Sequence, residues 1–139
     1  MRRIVADTGP IVALLNKRDQ YHEWAVRTFE GLEPPLYTCE AVLAEVAWLV
    51  RKLPAGATAV IDLLIRGVLR VDFRADTELL ALRTLINKYA PVPMSLADAC
   101  LVRMTELDPK SEVVTLDSDF RLYRRSGRLA IRLIMPADA

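Results

Sequence analysis

Two short apolar runs each stop at an aspartate: Ile4-Val5-Ala6 before Asp7, and Val113-Val114-Thr115-Leu116 before Asp117. A run this short, with no regular polar alternation, is buried on both faces. That is the pattern of a central parallel strand, not of a half-solvated hairpin. Parallel strands need crossover connections, so a chain built on such runs is an α/β protein with helices covering its sheet. Asp7 is followed by Thr8-Gly9-Pro10 and a second apolar run, so the first strand leads directly into a helix. Junctions of this kind sit at the carboxyl ends of strands, where open α/β sheets bind ligands.

The remaining pattern fits that frame. Helical spacing covers residues 8–16 and about 20–32, the second capped by Asp19 and ended by Pro34-Pro35. A short strand at 36–39 precedes a mostly apolar helix at 40–53, and another helix follows at 56–66. A strand at 68–73 leads to a long amphipathic helix opened by Asp76. Leu79, Leu80, Leu82, Leu85 and Ile86 supply its apolar face. Ser95 caps a helix reaching about Leu107. The strand at 113–116 is followed by a short helix at 119–125 and a last strand at 129–134. Alternation of this kind predicts a parallel sheet with helices on both faces, and 139 residues suit one domain over 1–139.

Net charge is only +1, which gives no support to general coating of polyanions; nucleic-acid contact would need local clustering. Cys39 and Cys100 lie in apolar surroundings and suit buried free thiols in a reducing compartment. The apolar stretch after Arg2-Arg3 is broken by Asp7, so no signal peptide is expected. No run approaches the length of a membrane span. A soluble cytoplasmic protein without membrane contact is the expectation.

Four carboxylates stand out. Asp7 and Asp117 are placed where buried strands exit, and each is also a good cap for the segment that follows. Glu45 is the one polar side chain between Ala41 and Val50. A carboxylate on an apolar helix is unfavourable unless paired, bound to metal or on an edge that reaches water. Asp98, in Ser95-Leu96-Ala97-Asp98, reads as the acid of a capping box, but it is also in a helix's first turn, at the edge where strands end. Thr115 points to the same side as Asp117. Asp119 is a fifth acid, either secondary to Asp117 or the cap of the short helix. Acids gathered at one edge repel one another, and a divalent cation removes the conflict. All-oxygen donors suit Mg²⁺ or Mn²⁺, which activate water and stabilise a phosphodiester transition state without a nucleophilic side chain. The lone His22, in the first turn of a helix, reads as structural.

With these residues in hand, the chain resembles PIN-domain ribonucleases of the VapC toxin type. The motifs are Val5-Ala6-Asp7-Thr8-Gly9, Glu45, Ser95-Leu96-Ala97-Asp98-Ala99 and Val114-Thr115-Leu116-Asp117-Ser118-Asp119-Phe120. Asp19-Gln20-Tyr21-His22 adds a helix entry similar to that of these toxins. The resemblance implies a three-layer α/β/α sandwich with a five-stranded parallel sheet. It implies Mg²⁺- or Mn²⁺-dependent endonucleolytic cleavage of RNA by Asp7, Glu45, Asp98 and Asp117, with Thr8 and Thr115 as supporting hydroxyls. It also implies a cognate antitoxin and a homodimer.

Arg121, Arg124, Arg125, Arg128 and Arg132 follow the last acids, with no acidic residue until Asp138. They read equally as a phosphate-binding patch, a solvated basic face or a surface for an acidic partner. Rival readings fail on particular residues. Aspartic proteases share Asp7-Thr8-Gly9 but build it into strands. Haloacid-dehalogenase-like phosphatases need a hydroxyl residue where Arg121 stands, and receiver domains need a lysine late in the chain, where none follows Lys110. A PIN-like protein- or RNA-interaction module without catalysis remains the alternative, against which the full quartet argues.

Overall fold

The computed structural model describes residues 2–139. The chain runs β1 (Arg3–Ala6), α1 (Thr8–Leu15), α2 (His22–Gly31), β2 (Leu36–Thr38), α3 (Glu40–Leu49), α4 (Thr58–Ile65) and β3 (Leu69–Val71). It continues through α5 (Leu79–Lys88), α6 (Leu96–Leu107), β4 (Ser111–Val114), β5 (Arg124–Arg125), β6 (Leu129–Ala130) and β7 (Arg132–Ile134). The main sheet has five parallel strands in the order β3-β2-β1-β4-β7, and β5 and β6 form a separate antiparallel hairpin.

The strand order reverses between β1 and β4. Connections step outward from β1 through β2 to β3, then cross back to β4 and β7. Right-handed crossovers therefore place α1–α4 on one face and α5, α6 and the β5–β6 hairpin on the other. Most helix packing divides accordingly, with α1 against α2 and α3, and α5 against α6, while α3 also meets α6 across that division. The parallel sheet covered on both faces is as the sequence pattern predicts, and the five-stranded three-layer α/β/α sandwich is as the resemblance implies. Val5 and Val113 pair across the two central strands and are completely buried, each worth about 1.5–3 kcal/mol by apolar burial. No helix among the described residues is long and apolar enough to cross a membrane.

Several segments differ from the sequence reading. The helix expected at 119–125 is a 3-10 turn (Ser118–Arg121) followed by β5. The single strand expected at 129–134 breaks into β6 and β7, because Ile131 turns inward and is 7% exposed. Ser126 and Gly127, with φ of 50° and 85°, close the hairpin turn. Asp76 lies in another 3-10 turn (Ala75–Thr77), and α5 begins only at Leu79. Leu79 and Leu80 are 63% and 72% exposed, so Leu82 and Leu85 carry the buried face without them. Asp19 does not cap α2 itself: its carboxylate accepts the Tyr21 N–H at 2.8 Å in the turn before it. His22 is structural, its Nδ1 lying 2.7 Å from the Ala13 carbonyl oxygen. Cys39 and Cys100 are buried free thiols.

Candidate active site

The site grows out of the register between the two central strands. Ala6 lies opposite Val114, so Asp7 and Thr115 leave the sheet side by side. The Asp7 N–H donates to the Val114 carbonyl at 3.0 Å, extending the ladder by one bond. The chain then turns into α1 with Asp7 as its cap. Asp7 Oδ1 accepts the Thr8 N–H at 2.7 Å, and Oδ2 accepts the Thr115 hydroxyl at 2.7 Å. Both are short, charge-assisted contacts. Thr115 Oγ1 accepts the Asp117 N–H at 2.9 Å, so one hydroxyl orders both aspartates. Gly9 keeps them together. A Cβ there would stand 3.2 Å from Leu116 Cβ, closer than the first turn of α1 and the exit of β4 allow without giving way.

The other acids enter from neighbouring elements. Asp117 Oδ1 accepts the Asp119 N–H at 2.9 Å, which makes Asp117, not Asp119, the cap of the 3-10 turn. Glu45, on α3, is exposed at the rim, and its Oε2 accepts the Thr8 hydroxyl at 2.7 Å. Helix α3 therefore does reach water at Glu45, and Thr8 joins that rim to Asp7. Asp98 completes a capping box: its N–H donates to Ser95 Oγ at 3.0 Å, and its Oδ2 accepts the Ser95 N–H at 3.2 Å. The same Oδ2 accepts the Tyr123 hydroxyl at 3.1 Å.

The sequence pattern alone assigns Tyr123 no role. It is fully buried and meets Asp98 only through the fold. Its one sequence signal is a tyrosine alone among arginines, in Arg121-Leu122-Tyr123-Arg124-Arg125.

Charge at this edge is not balanced from within. Burial pushes the Asp7 carboxyl up to about 7, against the Thr115 and Thr8 hydrogen bonds, and the charges of Asp98 and Asp117 add to the rise. Burial also raises Asp98, helped by Asp117 and opposed by Ser95 and Tyr123. Among the described residues, none of Asp7, Glu45, Asp98, Asp117 and Asp119 takes part in an ion pair.

The donor chemistry fits a hard divalent cation. Asp98 Oδ1, Asp117 Oδ2 and Glu45 Oε1 accept no hydrogen bond among the described residues, which leaves them for a ligand. No three carboxylates among those residues are already drawn together as a closed cage. Mg²⁺ does not demand one, because it keeps several waters and takes one or two carboxylates directly.

The arginines divide. Arg121 donates to the Ala139 carbonyl at 3.0 Å, and Arg124 folds back onto the carbonyls of Arg121 and Tyr123 at 2.7 and 3.0 Å. Arg125 and the exposed Arg128 make no side-chain hydrogen bond or ion pair among the described residues, and they ride on the hairpin. Arg132 stands apart, beside Glu112 at the amino end of β4.

An open parallel sheet with clustered carboxylates at its switch point defines a class of α/β proteins that act on ligands at the strand ends. Within that class the chain belongs to the PIN domain family, whose model matches residues 4–138. Nucleases of this family generally need a divalent metal ion. Comparison with curated protein sequences gives no match. Among solved structures the chain is similar to Mycobacterium tuberculosis VapC20, described as a sarcin–ricin loop cleaving toxin. Identity is 26%, 93% of this chain and 98% of that one are covered, and the TM-score is 0.75.

Proposed function

We propose that this chain is a divalent-metal-dependent endoribonuclease, the toxin of a toxin–antitoxin pair, with Mg²⁺ or Mn²⁺ as its ion. The observation that carries the reading is the uncompensated negative charge at the β1 and β4 exits. Asp7 is buried there at 5% exposure, and that burial, with a smaller contribution from neighbouring Asp98 and Asp117, pushes its carboxyl up to about 7. The PIN family membership and the similarity to a ribosome-loop-cleaving toxin support the same conclusion.

In this reading Asp7, Asp98, Asp117 and Glu45 hold the ion. When bound, it supplies an activated water and offsets charge developing on the scissile phosphate. Thr8 and Thr115 fix the Asp7 carboxylate by holding one oxygen each. Asp119 sits next to that shell through its N–H to Asp117. Arg125 and Arg128 are cations available for phosphates of the RNA strand; Arg121 and Arg124 hold the backbone that carries them. A cognate antitoxin and a second copy of the chain are the protein partners expected with this activity.

Cleavage of a sarcin–ricin-type stem-loop RNA with Mn²⁺ or Mg²⁺ tests the reading, with Asp7→Asn and Asp98→Asn as controls. The parent cleaves only with metal, and both variants lose activity. Variants that cleave as well as the parent dismiss the quartet. A parent that binds RNA and metal but never cuts leaves the interaction-module alternative standing.

A further inference from the structure

Tyr123 lies between the acid cluster and the arginine hairpin, and none of the roles above uses it. Its ring is held edge-on by Phe120 at 5.1 Å and by Tyr89 at 5.0 Å between centroids. A ring packed on two sides has its two side-chain torsions fixed, so the direction of its hydroxyl is set by the core. That hydroxyl is aimed at Asp98 Oδ2, 3.1 Å away. A phenolic hydroxyl is a donor at neutral pH, which suits that carboxylate oxygen.

The capping box alone gives Asp98 one donor, the Ser95 N–H at the start of its own helix. A carboxylate held by one donor still swings about its Cβ–Cγ bond. A second donor from a different segment of chain, on the same oxygen, fixes its plane. We propose that Tyr123 is a positioning residue: its hydroxyl pins Oδ2 of Asp98, so that Oδ1 is presented to the metal in a single orientation. The inference rests on the metal-site reading above. It follows the general pattern in which ligating carboxylates are themselves hydrogen-bonded, and in which losing such a partner lowers metal affinity.

Tyr89 provides the control. It packs on the same ring, and its own hydroxyl accepts the Arg124 N–H at 2.8 Å, with no hydrogen bond to Asp98. A purely structural role for the aromatic stack makes Tyr89→Phe and Tyr123→Phe behave alike; positioning makes them differ.

The experiment measures the Mn²⁺ dissociation constant of the full chain by calorimetry or spin resonance, alongside RNA cleavage. Tyr123→Phe is expected to weaken Mn²⁺ binding about 10- to 100-fold, and Tyr89→Phe to leave it near the parent value. The Mn²⁺ concentration giving half-maximal cleavage rises in parallel, while KM for RNA at saturating Mn²⁺ stays within about twofold. In an Asp98→Ala background, Tyr123→Phe has no further effect on Mn²⁺ affinity, since the group it acts through is gone. Thermal unfolding of both Phe variants in EDTA, measured alongside, separates a folding defect from the loss of the Asp98 partner. Parent-like Mn²⁺ affinity in Tyr123→Phe overturns the proposal, as does an equal loss in Tyr89→Phe or in the Asp98→Ala background. A parent that binds no Mn²⁺ at all overturns the metal-site reading, and this inference with it.

Discussion

The two ends of the same strands are treated in opposite ways. At the amino end, acids meet bases. Arg3 approaches Asp108 at 3.8 Å, with its guanidinium also over the Tyr37 ring, and reaches along the sheet to Asp72, just past the end of β3, at 2.8 Å. Arg2 grips both oxygens of Glu112 at 2.9 and 3.2 Å. At the carboxyl end, Asp7, Asp98 and Asp117 feel one another's charge, and the described residues offer them hydroxyls and N–H groups but no ion-pairing cation. Arginines occur within a few residues of Asp117, so the imbalance is not for want of bases. The difference teaches that one edge is finished by folding and the other is left to be completed by a ligand.

The largest effect that sharpens this contrast is expected from Asp7→Asn. RNA cleavage falls about 100-fold or more, because a ligand to an ion that offsets transition-state charge is worth several kcal/mol. The metal-free variant gains stability at alkaline pH, since a buried ion has become a neutral amide. Cleavage rates and urea unfolding in EDTA read the two outcomes. An Asp7→Asn protein that is both active and less stable than the parent breaks the comparison.

The next effect is the pH dependence of metal-free stability. The folded Asp7 carboxyl titrates at about 7, above its unfolded value near 4, so the folded state holds its proton more tightly. Its contribution is fully present below the unfolded value and is lost as pH rises through the folded one. Unfolding free energy in EDTA therefore falls between about pH 4 and about pH 7, by up to a few kcal/mol. Saturating Mn²⁺ or the Asp7→Asn substitution flattens that slope. A rise over the same interval contradicts the assignment.

A smaller effect belongs to the hairpin. Arg125→Ala with Arg128→Ala is expected to weaken RNA binding. It also lowers the slope of log affinity against log salt, by about 0.7 for each single-strand phosphate that is no longer neutralised. The chemical rate at saturating RNA stays near the parent's. Filter binding at several salt concentrations checks it, and an unchanged slope removes these arginines from the RNA surface.

Smallest is the amino end. Arg3→Met leaves cleavage unaltered and costs about 1 kcal/mol or less in thermal unfolding, the ordinary worth of a partly exposed ion pair. If it abolishes cleavage, the two ends are not independent.

How much of this was legible depends on the range of the forces involved. The exits at Asp7 and Asp117 were readable because a buried strand cannot hide where it turns polar. The Ser95–Asp98 capping box was readable because it is local. The break at Ile131 was not, since 129–134 reads as one strand and only the core pulls that side chain in. Leu79 and Leu80 look like core by spacing, yet they fall in the first turn of α5 and stay exposed. Tyr123 was invisible because its meaning lies in a hydroxyl meeting Asp98 from a segment 25 positions away.

The hairpin turn holds one more consequence. The Ser126 N–H donates to Glu106 at 2.6 Å, and Lys88 donates to the Gly127 carbonyl at 2.8 Å. Two helices of the same layer thus hold a two-residue turn in a left-handed conformation that Ser126 disfavours. Arg125 and Arg128 flank this turn, so the backbone between them has little freedom left to lose. A docking polyanion then meets a surface whose shape is already set, and its residence time reports the strength of the contacts instead of the entropy of ordering a loop.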